Sequence, residues 1–266
     1  MQVMIILILH NFYQQPGGED IVVEAEAAML GAAGHRVRVE TVSNDAIQGV
    51  GARIKTFLHA PYEPARGPWI QMLVERHQPD LIHIHNFFPL LTPAVHEAAA
   101  RAGIAVVQTL HNYRLLCAGA LLMRDDRVCE KCVVGSPLWG VVHRCYRGSL
   151  PGSLAVVRMQ RRAARRGIWQ RQVHRFIALT DFARQQFIQG GLPAERIAVK
   201  PNFVSRLPDE SAGRRRGALF VGRLSVEKGV DTLLTAWRKL PDIPLTIAGD
   251  GPERARLEAA APPGVV

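Results

Sequence analysis

The chain has 266 residues, 33 Lys+Arg against 23 Asp+Glu for a formal net charge of +10, 48% hydrophobic residues and four cysteines. Such a length and hydrophobic fraction predict one large domain or two moderate ones with buried cores, and exclude a wholly disordered or collagen-like chain. The longest apolar run, Val3–Leu9, is far short of the roughly 20 residues that span a bilayer, and without a basic flank or cleavage site it predicts neither a membrane span nor a signal peptide.

Short β-branched runs alternate with longer helical patterns, the sign of a parallel α/β sheet. Val3–Leu9 reads as a buried first strand. A loop over His10–Asp20 follows, holding Pro16, Gly17 and Gly18, then a helix through Val22, Val23, Ala27 and Leu30 that Gly34 ends. Further strands are predicted at Arg36–Thr41, Leu81–His85 and Ile104–Leu110, with a helix near Pro93–Ala102. An irregular cysteine-bearing segment precedes a basic helix over Ser153–Gln172, a strand at Arg175–Leu179, a helix at Asp181–Gln189 and a strand at Ile197–Val199. Residues 202–217, polar and carrying Pro208 and the run Arg214–Arg216, read as a linker. A second series begins with strand Ala218–Val221, helix Val230–Leu240, strand Pro244–Ala248 and helix Pro252–Ala260. Two strands and two helices do not close a doubly wound domain of on the order of 100 residues, so the expectation is a second domain that continues past Val266.

Of the 33 cationic residues, five are lysines and the other 28 are arginines. Guanidinium binds phosphate through paired hydrogen bonds, so this balance suits phosphate-bearing ligands or anionic headgroups; compositional bias explains it equally well. Four cysteines are too few for a disulfide scaffold and point to a reducing compartment. Their spacing, Cys117-x11-Cys129-x2-Cys132-x12-Cys145 with His143 close by, suits tetrahedral thiolate ligation of a structural zinc, His143 being able to replace one thiolate. Separate thiols or a redox pair are the competing readings. No D-x-D pair suited to a catalytic divalent ion occurs, and Asp125-Asp126 reads as a polar turn.

Several motifs lie in a fixed order. They are Pro16-Gly17-Gly18-Glu19, the run from Asp80 to His85, Gln108 to Asn112, Ala178 to Thr180, Lys200 to Asn202, Phe220 to Gly229 and Ala248 to Pro252. Through them the chain resembles the retaining nucleotide-sugar glycosyltransferases of family 4. The resemblance implies an α/β fold of GT-B type: a Rossmann-like acceptor-side domain over 1–201 with the cysteine insertion at 117–145, the linker 202–217, and the start of a nucleotide-sugar-binding domain at 218–266. It also implies an E-x7-E element that would lie beyond the Gly249–Pro252 turn. The implied activity is transfer of a sugar, with retention, from a UDP- or GDP-type donor to a glycan or lipid-linked glycan in the cytoplasm, without a catalytic metal. A non-catalytic fragment and a nucleotide-sugar epimerase on the same scaffold are the alternatives.

The leaving diphosphate gathers negative charge in such a transfer, so cations and N–H dipoles are needed beside it. Arg223 and Lys228, near a predicted strand end and a helix N-terminus, fit that need; the resemblance makes them the diphosphate clamp, and an ordinary exposed basic pair is the competing reading. Gly17 and Gly18 permit positive φ and close approach of a donor to the helix N-terminus, or simply make a tight turn. His111 ends a strand where open sheets bind ligands, and the resemblance places it by the donor sugar and acceptor as the catalytic-centre histidine; capping the strand end is its alternative. His85 and Asn86 read as either core groups or acceptor contacts, and Asn112, Thr180 and Asn202 as cleft contacts, Thr180 equally as a helix N-cap. The basic helix, with Arg158, Arg161, Arg162, Arg165, Arg166 and Arg171, predicts either a solvated face or peripheral attachment to an anionic membrane at its inner face. No nucleic-acid-binding module is recognisable.

Overall fold

The computed structural model describes residues 2–14, 17–204 and 216–266. They divide into two units: one holds the described residues up to Leu122 and Cys129 to Val204, the other Met123–Val128 and residues 216–266. Pro16 and most of the predicted linker, with Pro208, Arg214 and Arg215, lie outside the described residues.

The first unit runs β1 (Ile5–Phe12), α1 (Gly18–Ala32), β2 (Arg36–Ser43), α2 (Gly49–His59), α3 (Arg66–His77), β3 (Leu81–Ile84), α4 (Ala94–Arg101) and β4 (Ala105–Leu110). The hairpin β5 (Met123–Arg124) and β6 (Arg127–Val128) follows, then α5 (Trp139–Val142), α6 (Leu150–Arg165), α7 (Ile168–Arg171), β7 (Arg175–Ala178), α8 (Asp181–Gln189) and β8 (Ile197–Val199). Six strands form one parallel sheet in the order β2-β1-β3-β4-β7-β8. Parallel strands joined by helices bury both faces, which explains their near-continuous apolar runs.

Strand parity divides the core. Leu7, Leu9, Ile82 and Ile84 pack with Ile70 and Leu73 of α3 and Val95 of α4. Ile6 and Ile8 pack with Val23, Ala27 and Leu30 of α1. Continuing that second face, His10, His83, His85, Thr109 and His111 occupy the same parity toward the carboxyl ends of their strands.

The first strand differs from its prediction. It begins at Ile5 and runs on to Phe12, because its pairing with β2 continues to Phe12↔Ser43; His10 and Asn11 are therefore strand residues. The basic helix splits, α6 ending at Arg165 and α7 restarting after Gly167, whose φ of 60° is left-handed. Asp125 and Asp126 (φ 51° and 58°) form the two-residue turn of the β5–β6 hairpin, where two left-handed residues match the strand twist. That hairpin, expected within the first domain's insertion, groups with the second unit.

In the second unit β9 (Ala218–Val221) and β10 (Leu245–Ala248) pair in parallel, joined through α9 (Val230–Trp237) and followed by α10 (Arg254–Ala260). Leu224, Val230, Leu234 and Leu257 make its core. The turns after the two strands meet backbone to backbone. A Cβ on Gly249 would lie 1.9 Å from the Gly222 carbonyl, and one on Gly251 2.2 Å from the Leu224 carbonyl. The Ala248-Gly-Asp-Gly-Pro252 motif thus has a packing reason of its own.

No helix among the described residues is long and apolar enough to cross a membrane.

Candidate active site

In an open parallel sheet the carboxyl ends of the strands bind ligands, nearest the point where strand order reverses. Here that point lies between β1 and β3. Asn86 bridges it, its Nδ2 donating to the Asn11 carbonyl at 2.7 Å while its Oδ1 accepts from the Phe88 amide at 3.1 Å. Asn11 in turn donates to Asn44 Oδ1 at 2.9 Å and accepts from the Leu90 amide at 3.0 Å. Asn86 is buried, and these bonds assign it to fixing the loops.

Beneath α1 sits a polar cluster. His10 Nε2 lies 2.7 Å from Asp20 Oδ1, and Asp20 Oδ2 accepts from the Gly17 amide at 2.7 Å, capping the helix. Glu26, one turn and a half further along α1, is buried. Its Oε1 is 2.5 Å from the Lys200 ammonium, and its Oε2 is 3.6 Å from His83 Nδ1 and 3.5 Å from His85 Nε2. His83 Nε2 pairs with Thr109 Oγ1 at 2.8 Å, and His85 Nδ1 lies 2.9 Å from His111 Nε2. A buried carboxylate needs such partners, since an unpaired charge away from water costs several kcal/mol or more.

Burial keeps the imidazoles neutral. It pulls His83 down to about 3 and His111 to about 4, with the positive charge of Lys200 adding to both shifts. His85 is lowered further, again by burial first and then by the neighbouring histidines. His10 is lowered by burial against the opposing pull of Asp20. At neutral pH this edge of the sheet is therefore a set of neutral hydrogen-bonding rings. Among the described residues, Glu26, His83 and His85 are the group that brings three metal-ligand atoms within 4.8 Å of one another. Lys200 already supplies a cation to that carboxylate.

The predicted residues fall into distinct places. His85 and His111 meet directly. Gly17 has an extended φ of −133°, so the expected use of positive φ there is corrected: what the two glycines provide is room, since a Cβ on Gly17 or Gly18 would meet nothing within 4 Å. Asn112 holds Glu19 Oε1 at 3.0 Å and accepts from the Arg114 amide at 3.0 Å; Glu19 is raised by its burial. Thr180 Oγ1 accepts from the Ala183 amide at 3.0 Å, the N-cap of α8. Asn202 is exposed beyond β8.

Cys117 is buried and Cys129, Cys132 and Cys145 are half-buried, none in a disulfide. They share one neighbourhood. A Cβ on Gly119 would lie 3.8 Å from Cys117 Sγ and 3.7 Å from Cys145 Cβ. Burial, then the thiols of Cys117, Cys145 and Cys129, push Cys132 up to about 11. No three of these thiols lie within 4.8 Å of one another. His143 stacks on Trp139, ring centroids 5.8 Å apart.

In the second unit Arg223 follows β9 and Lys228 closes a 3-10 turn before α9; both are exposed. Gly229, at φ 63°, makes the left-handed entry to that helix.

The sequence model of Glycosyltransferase Family 4 matches residues 16–206. The chain belongs to this family. That of glycosyl transferases group 1 matches residues 208–262. No curated protein sequence matches the chain. Anabaena HepE, solved in complex with UDP, is similar in structure with a TM-score of 0.55 at 17% identity, over 96% of this chain and 64% of that one. The lipopolysaccharide outer core galactosyltransferase WaaB, in apo form, gives 0.50 at 14% identity over 99% and 67%. The catalytic domain of starch synthase IV from Arabidopsis thaliana, bound to ADP and acarbose, gives 0.55 at 12% identity over 97% and 71%. At these identities the likeness is one of fold, the GT-B class. The family 4 chain described here thus spans somewhat less than two thirds of the HepE chain.

The cluster under α1 went largely unread in the sequence. His10, Asp20, Glu26, His83 and Lys200 were signalled only jointly: alternating histidines on β3, a His at the same parity on β1, and acids at positions 20 and 26 in the stripe of α1 that also holds Val23 and Leu30.

Proposed function

We propose that this chain is a retaining glycosyltransferase, moving a sugar from a UDP- or GDP-type donor to a glycan or lipid-linked glycan. The observation that carries the reading is the neutral, ring-lined strand end at His85 and His111 in a family 4 chain whose second unit exposes Arg223 and Lys228. In the proposed reaction the bond between the anomeric carbon and the diphosphate oxygen breaks as the acceptor hydroxyl bonds the same face of that carbon. The acceptor's proton passes to the leaving diphosphate oxygen. Arg223 and Lys228 neutralise the charge that develops there, as a divalent ion otherwise would. The open space before Gly17 and Gly18 and the imidazole of His111 border the sugar. HepE, of the same fold, is described with UDP and glucose and with UDP-glucose, which favours a uridine donor as the first to try.

Two structural proposals accompany it. The four cysteines, which share one neighbourhood although no three of their thiols lie within 4.8 Å of one another, would be drawn together on a zinc ion that orders the segment between β4 and α6. The arginine face of α6, which lines a cleft with Pro61, rests on an anionic membrane at its cytoplasmic side. Beside it α2 exposes Val50, Ile54 and Leu58 at four-residue spacing, an apolar stripe suited to the headgroup boundary.

A thermal-shift panel of UDP, GDP, ADP, UMP and GMP tests the function. A nucleoside diphosphate raises Tm and its monophosphate does so less; a panel without any shift overturns the reading. Transfer is separated from epimerisation by whether sugar release from the donor requires an added acceptor.

A further inference from the structure

His85 and His111 are both neutral at physiological pH, yet their Nδ1 and Nε2 atoms stand 2.9 Å apart. Such a contact is a hydrogen bond only if one nitrogen carries the proton and the other a lone pair. Which one does so is set on the far side of His85. There the Nε2 atom is buried without a hydrogen-bond partner, and the nearest charged group is the carboxylate of Glu26, its Oε2 at 3.5 Å. A lone pair turned toward that carboxylate would be repelled and an N–H attracted.

We propose that Glu26 is a positioning residue which, through His85, holds His111 in the tautomer whose Nδ1 is a hydrogen-bond acceptor. With Nε2–H of His85 turned to Glu26, Nδ1 of His85 bears the lone pair and accepts from Nε2–H of His111. Nδ1 of His111 is then left without a proton. The same carboxylate oxygen sets its other neighbour: His83 turns Nδ1–H toward it at 3.6 Å and accepts through Nε2 from the Thr109 hydroxyl at 2.8 Å. Lys200 pairs with Oε1, the other oxygen of the same carboxylate, and His10 is engaged separately by Asp20.

The consequence concerns the chemical class of group that His111 receives. A neutral imidazole presenting a lone pair accepts from a hydroxyl and repels a phosphate oxygen, which has only lone pairs to offer. The strand end at His111 therefore takes a sugar hydroxyl, and the diphosphate is left to Arg223 and Lys228. This meaning rests on the proposed glycosyltransferase reading. The tautomer itself does not, and it is measured without any substrate.

The test is long-range 1H–15N correlation NMR on the full chain labelled with 15N-histidine, His111 being assigned by comparison with His111→Gln. In the wild type, His111 shows a protonated Nε2 and an unprotonated Nδ1 throughout the range from neutral pH to about pH 5. In Glu26→Gln the neutral amide can present either a donor or an acceptor to His85, and His111 gains an Nδ1–H population. Glu26→Asp, which keeps the charge, retains the wild-type pattern and controls for packing. A wild-type His111 protonated on Nδ1 overturns the proposal, as does a folded Glu26→Gln variant whose His111 pattern is unchanged. If Glu26→Gln fails to fold by circular dichroism, Lys200→Met and the wild-type spectrum decide. Removing the ammonium lifts the proton affinity of His111 measurably while leaving its tautomer, and a switch of tautomer there instead refutes the control by Glu26.

Discussion

Arg223 and Lys228 are two exposed cations whose worth depends on what they meet. Against water alone such groups contribute almost nothing to stability. Against a diphosphate each supplies charge-assisted hydrogen bonds of about 1.5–3 kcal/mol. Arg223→Ala or Lys228→Ala should therefore leave Tm within about a degree while weakening nucleoside-diphosphate binding by roughly one to two powers of ten. Calorimetry that finds equal affinity in both variants removes the pair from the donor site. Thr180 and Asn86 teach the opposite lesson: both stand at strand ends, and both already have structural work, one capping α8 and the other bridging β1 to the loop after β3.

At the scale of elements, the segment between β4 and α6 contains little regular structure and is held by backbone turns together with side chains. Arg114 donates to the Ala118 carbonyl at 2.8 Å and lies over the rings of Phe88 and Tyr146 at 5.3 and 5.0 Å. The proposed zinc would tie the same segment from within, because one ion closing four thiolates restricts the loop over Cys117 to Cys145. Metal analysis of purified protein should give about one zinc per chain, lost on Cys129→Ser with Cys132→Ser; well-folded protein without metal ends that proposal. α6 makes a different kind of claim. It carries Arg158, Arg161, Arg162 and Arg165 on its exposed side and no acidic residue along its length. Each cation near an anionic bilayer contributes about 1 kcal/mol, screened over a Debye length of roughly 10 Å in 0.1 M salt. Replacing those four arginines with glutamine should abolish sedimentation with phosphatidylglycerol vesicles at low salt, and Ile54→Ser with Leu58→Ser should weaken it. Binding that ignores lipid charge contradicts the assignment.

At the scale of the molecule, the buried histidines make the fold acid-sensitive at an unusually high pH. His83, His96 and His111 have folded-state values near 3, 4 and 4, against an ordinary 6.5, and His85 is lowered as well. The unfolded chain binds protons at these rings below about pH 6.5 and the folded chain does not. Stability is thus fully present above 6.5 and is lost as pH falls toward the folded values, by up to ~1.4 kcal/mol per pH unit for each ring. Urea midpoints measured between pH 7.5 and 5, before most carboxylates protonate, should drop steeply. A flat profile in that window would mean that these rings are not buried neutral.

Much of the architecture was legible in the chain itself. The helix at Asp181–Gln189 and the strands at Ile197–Val199 and Ala218–Val221 match the prediction residue for residue, because each combines a clear period with a cap or a turn at its ends. α2 and α3 carry no prediction: α2 buries no residue and α3 only Ile70 and Leu73, so their apolar pattern is faint. The family motifs pointed to His111, Arg223 and Lys228, and local chemistry to the Thr180 cap. The partners of His111 were decided only by tertiary structure. Glu26, the pair His83 and His85, and Lys200 lie on three separate stretches of chain. Strand order and parity, which no local window contains, bring them under one helix, and burial then sets their protonation.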